Sequence, residues 1–162
     1  LFSQVLATDR EVRGAEHPYV GHDLVNRAIL MLDLGRYDDA EADLHAALEI
    51  YSAALPADHP FVASALAGLG RWELEQGRAD EAERLLRQAI DMAARAIPAD
   101  SPQLAVAKSS LGGALLAQRR FEEAAPLLRE SYPVLVRTHG ENAVITRRAR
   151  AALAQLETTP DE

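Results

Sequence analysis

Five histidines, His17, His22, His45, His59 and His139, are the side chains of this 162-residue chain best suited to metal ligation or proton transfer. Their spacing serves neither. His17 and His22 stand five positions apart, whereas ligands sharing a helix face stand three or four apart. There is no HExxH run and no cysteine, so zinc-protease and thiolate-metal chemistry are excluded. Ser109 and Ser110 have no base at a motif spacing. Glu73 and Glu75, two apart on a helix, diverge rather than pair. The run GLGRW, Gly68 to Trp72, lacks the third glycine of a dinucleotide loop and follows no strand. These residues predict no catalytic centre, no metal and no cofactor.

His17 and His59 do share something else. Each precedes a proline, and the interval from His17 to His59 recurs between His59 and Ser101, which also precedes a proline. The runs LPADHP, Leu55 to Pro60, and IPADSP, Ile97 to Pro102, are near copies. On the same period Gly35, Gly77 and Arg119 coincide, as do Ala40, Ala82 and Ala124, and Leu44, Leu86 and Leu128. A fixed period of about 42 residues marks stacked supersecondary units.

Each unit reads as two helices. Proline suits the first turn of helix A, where its missing N–H costs nothing. Ser101 is a good N-cap, and Asp58 or His59 serves in the second unit. Glycine suits the left-handed position after the helix; Arg119 there costs about 1 kcal/mol if the backbone is kept. Helix B opens on Asp38-Asp39, Asp80-Glu81 and Glu122-Glu123, which complement the helix dipole. Ala40, Leu44, Ala47, Leu48 and Tyr51 then make one apolar face. Gly70 and Gly112 recur at one register, which predicts close helix contacts there.

The run LGRWELEQGRADEAERLLRQAI, Leu69 to Ile90, resembles the tetratricopeptide repeat, whose usual period is about 34 residues. The longer period here amounts to about one added 3.6-residue turn per helix. With its Asp-His-Pro junction, the long form resembles the repeats of kinesin light chains and related arrays in bacterial regulatory proteins. The resemblance implies an all-α, right-handed α-solenoid of stacked antiparallel helix pairs. It is expected to span 1–157: a leading helix B at 1–13, repeats at about 17–55, 59–97 and 101–138, a closing helix at 142–157, and a frayed tail at 158–162. Trp72 sits one place off the family's aromatic position.

The resemblance also implies that the A helices line a concave groove. It places His22, Asn26, Ile29 and Asp33 there from the first repeat, and Ser64, Arg71 and Glu75 from the second. Ser109 follows from the third, and Arg148 and Gln155 from the closing helix. The expected role is a non-catalytic scaffold for an extended peptide or protein, its acidic end near Arg148. The alternative is a regulatory or oligomerisation segment of a larger bacterial signalling enzyme, such as a serine/threonine kinase or a signalling ATPase. Of the dicarboxylate clamp found in chaperone-binding relatives, only Asn26 and in part Arg71 match.

Composition sets the remaining bounds. The net charge of −8 argues against a general nucleic-acid binder. No apolar run nears the roughly 20 residues that span a bilayer. Residues 1–81 carry 6 basic and 15 acidic groups, while residues 82–162 carry 11 and 10. The absence of cysteine suits a cytoplasmic setting. The first residues, LFSQVLATDREVRG, lack an initiator Met and a basic-then-apolar signal pattern, and read as part of a longer protein. Phe2, Val5 and Leu6 form an apolar stripe that predicts a weak homodimer through the N-terminal helix.

Overall fold

The computed structural model describes Gln4, Thr8 and residues 11–158. Gln4, Thr8 and Glu11 to Arg13 are helical. Seven helices with defined bounds follow: α1 (Pro18–Asp33), α2 (Tyr37–Ala54), α3 (Pro60–Glu75), α4 (Ala79–Ala93), α5 (Pro102–Ala117), α6 (Phe121–His139) and α7 (Val144–Thr158). No strand occurs among the described residues. The closing helix starts at Val144 rather than 142 and includes Thr158, which the sequence assigns to the tail. Phe2, Val5 and Leu6 lie outside the described residues, as do residues 159–162.

Three equivalent devices start the A helices. His17 Nδ1 accepts the Tyr19 N–H at 3.2 Å, and His59 Nδ1 accepts the Phe61 N–H at 3.1 Å. Ser101 Oγ accepts the Leu104 N–H at 3.4 Å. A ring nitrogen thus does the work of a capping hydroxyl at two junctions, with a proline in the first turn each time. Of the two caps the sequence allows for the second repeat, His59 is the one used.

Three matching turns end them. Arg36 N–H reaches Met31 O, Arg78 N–H reaches Glu73 O, and Arg120 N–H reaches Leu115 O, all at 2.9 Å. These are the long bonds of a Schellman motif, which needs one left-handed residue. Gly35 and Gly77 supply it at φ 71° and 77°, and Arg119 adopts it at φ 62°. The B helices have no side-chain cap. Their acidic first turns face the exposed N–H groups instead. Helix α6 runs through Pro126 and Pro133. Both prolines are exposed, so water can reach the carbonyls they leave unbonded.

The B helices bury one stripe. Ala40, Leu44, Ala47 and Tyr51 are at most 1% exposed, and Ala82, Leu86, Ala89 and Ala93 hold the same register in α4. In α6 the stripe is Ala124, Leu128, Ser131 and Leu135. Small residues on the A helices receive it: a Cβ on Gly70 would stand 2.6 Å from Leu86 Cγ. α1, α3 and α5 each pack on the B helix that follows, α7 packs on α6, and α1 touches α3, α3 touches α5, and α5 touches α7. No comparable contact joins α2 to α4 or α4 to α6. The A helices are therefore drawn together along one side and form the inner wall of a solenoid.

Candidate functional site

The inner wall holds two cavities. The larger, about 180 Å³, lies among α1, α3 and α5 and is lined by Ile29, Ser64, Ala67, Gly68, Arg71, Pro102, Gln103, Val106 and His139. The smaller, about 60 Å³, lies among α3, α5 and α7 and is lined by residues including Arg71, Leu74, Glu75, Ser109, Gly113 and Arg148. Arg71 borders both.

The expected groove residues divide on this wall. Ile29, Ser64 and Arg71 meet at the larger cavity, and Arg71, Glu75, Ser109 and Arg148 at the smaller. His22, Asn26, Asp33 and Gln155 line neither. The His22 ring stacks on Phe61, with centroids 5.1 Å apart, because Phe61 fills the step between the first two repeats. Ser64 turns its hydroxyl inward and donates to Pro60 O at 3.1 Å.

Arg71 and Arg148 each already have an anionic partner within the chain, which their sequence positions do not suggest. Arg71 is 4% exposed, and its Nη2 donates to Asp33 Oδ1. Its Nε is buried and makes no hydrogen bond. Arg148 Nη1 donates to Glu75 Oε1, and the Tyr37 hydroxyl donates to Glu75 Oε2 at 3.2 Å. A buried guanidinium needs an anionic neighbour to offset its desolvation, and this chain supplies both anions itself. Tyr37 and His139 are site residues the sequence analysis missed. Tyr37 is aligned with Ala79 and Phe121, so nothing in the repeat pattern marks its hydroxyl.

A second polar cluster bridges the repeats at the A-to-B turns. Glu83 accepts from Gln118 Nε2 at 2.8 Å, from Arg120 Nη1 at 2.6 Å and from Arg87 Nε at 2.9 Å. Burial works against the Glu83 charge, but these donors outweigh it and hold the carboxyl below the usual range. At the equivalent step before it, Trp72 Nε1 donates to Tyr37 O at 3.0 Å, and the Arg78 guanidinium lies 4.7 Å above the Trp72 ring.

Among the described residues no group of three His, Asp or Glu is placed to hold a metal ion. No described helix is long and apolar enough to cross a membrane.

Comparison with known proteins agrees with this geometry. Models described as tetratricopeptide repeat match residues 23–95 and 104–142. No curated protein matches the chain. Among solved structures, one resembling it is from Podosopora anserina, described as a kinesin light chain with nearly identical TPR-like repeats. The identity is 22% and the TM-score 0.63, over 96% of this chain and 74% of that one. BtubC (BKLC) from P. vanneervenii is similar at 21% identity and a TM-score of 0.67, over 96% of this chain and 62% of that one. At such identities the likeness is one of fold. Repeats of this kind generally serve as scaffolds for protein–protein interaction. The family matches fall on the stacked helix pairs described above, and the chain belongs to the tetratricopeptide repeat family, with repeats like those of kinesin light chains.

Proposed function

We propose that the chain is a non-catalytic scaffold that binds an extended peptide or protein segment along the wall formed by α1, α3, α5 and α7. The observation that carries this reading is the cavity of about 180 Å³ between the A helices, with Ile29, Ala67 and Val106 around Arg71. An apolar lining with a few polar groups is the usual make-up of a binding cleft. Because Arg71 and Arg148 already have internal anions, recognition rests on filling this cavity rather than on free positive charge. Filling the cavity is itself insensitive to salt, since apolar burial is not screened.

A display library of short random peptides tests the reading. Selected binders are measured against the parent, against Ala67→Arg and Val106→Arg, which fill the cavity, and against His45→Arg on the exposed side of α2. Loss of binding in the two cavity variants alone, with helicity unchanged, supports the groove. Binding that survives both and is lost in His45→Arg moves the site to the outer surface.

A further inference from the structure

Asp33 on α1 pairs with Arg71 on α3, 38 residues further along. The same step taken from Glu75, the equivalent of Asp33 on the repeat period, lands on Gly113, which has no side chain. Glu75 pairs instead with Arg148, 73 residues away on α7. Other ion pairs joining different helices or their caps, such as Arg27–Asp43 and Arg71–Asp33, span 16 to 38 positions. The Glu75–Arg148 pair thus skips a helix. It shares its cavity with Ser109 and Gly113 of α5, and Ser109 is only 5% exposed. Glu75 is also held from the opposite side by Tyr37, which fixes the carboxylate toward α7.

We propose that Glu75 and Arg148 form a clasp that ties α3 to α7 across α5 and keeps the groove floor at Ser109 closed until the pair parts. Gly113 contributes by removing the nearer partner, since that position carries no side chain with which Glu75 could pair. Arg148 keeps 40% of its side chain exposed while Glu75 keeps 16%, so solvent ions reach the arginine and the clasp opens as salt rises. That its opening admits a peptide rests on the groove reading above; the clasp itself does not.

The chain has no cysteine, so Ser109→Cys supplies a single thiol as a reporter. Its rate of reaction with an aromatic disulfide reagent measures access to the floor. In low salt, Glu75→Gln and Arg148→Gln are each expected to raise the rate about five-fold, the upper end for a pair of this exposure. High salt should raise the parent rate similarly and leave the two variants unchanged. The charge exchange Glu75→Arg with Arg148→Glu should return the rate toward the parent. Ser52→Cys, exposed on α2, should react alike in every background. Equal Ser109→Cys rates in the parent and in both folded Gln variants overturn the clasp. If one variant loses helicity, the other and the charge exchange decide the matter. No ligand enters this measurement, so its failure is distinct from failure of the groove reading.

Discussion

Leu86 lies so close to Gly70 that a Cβ there would meet its Cγ at 2.6 Å, and Gly112 stands in the same relation to Leu128, also at 2.6 Å. The nearest groups are fully buried leucine branches, and for Gly70 the Ala82 carbonyl stands 3.2 Å away.

Gly70→Leu is therefore expected to overpack the α3–α4 interface and cost roughly 1–3 kcal/mol. Leu86→Ala alone opens a cavity and costs about 2–5 kcal/mol. Gly70→Ala combined with Leu86→Ala should lose less than the sum of the two single changes, because the new methyl enters the space the leucine left. Thermal and denaturant melts of these variants and the parent check this. Strict additivity would mean the two residues do not share the space.

This contact was legible in the sequence because it is written several times. A small residue at one register and a leucine at another repeat on the same period, and packing is the one force that demands both. The Schellman turns were legible for the same reason, even where Arg119 breaks the glycine pattern. The ion pairs were not. A period aligns equivalent positions, but Asp33, Glu75 and Ala117 are equivalent while carrying different chemistry, as are Ile29, Arg71 and Gly113. Arg71 and Arg148 read as available cations because their counter-ions lie 38 and 73 residues away, a separation no local motif marks.

Arg27 and Asp43 offer a test inside the molecule. Their side chains join α1 to α2, with Nε to Oδ2 at 2.6 Å, and Asp43 is 5% exposed. The second repeat carries Leu69 and Leu85 at these positions, each 7% exposed. Arg27→Leu alone strands a buried carboxylate and is expected to cost about 3–5 kcal/mol. Arg27→Leu with Asp43→Leu should recover most of that and come within about 1 kcal/mol of the parent or exceed it. A double variant as unstable as the single one would show that the charges do more than fill the interface.

Glu83 gives stability a defined pH dependence. Its folded carboxyl is held below the usual range, so the unfolded chain takes up the proton first as pH falls. Its contribution is whole above about pH 4.3, the ordinary glutamate value, and is lost as pH drops through the lower folded range. Melts from neutral to acid pH should show Glu83→Gln less stable than the parent at neutrality and less sensitive to acid. Parallel profiles would remove Glu83 from the acid response.

Arg119 sits at φ 62° where the equivalent residues are glycines. An L side chain in that region costs roughly 1–2 kcal/mol, and glycine gives back part of the gain through its unfolded-state entropy. Arg119→Gly is expected to raise stability by about 0.5–1 kcal/mol, with helicity unchanged. A loss of stability would mean the arginine makes a compensating contact at the turn.

Within a repeat, the small-residue contact with leucine is the same in the second and third units, so either pair of helices would fit the other's frame. Between repeats it is not. The first carbonyl of α2, at Tyr37, receives its bond from Trp72, whereas the first carbonyl of α4, at Ala79, receives its bond at 3.2 Å from Gln118, four positions later on the period. The units are thus alike as modules but unlike as neighbours. Exchanging the second and third would leave the packing within each pair of helices unchanged, yet it would set an amide against the seat shaped for an indole. The order of the repeats is itself encoded, in joints that accept one successor and not another.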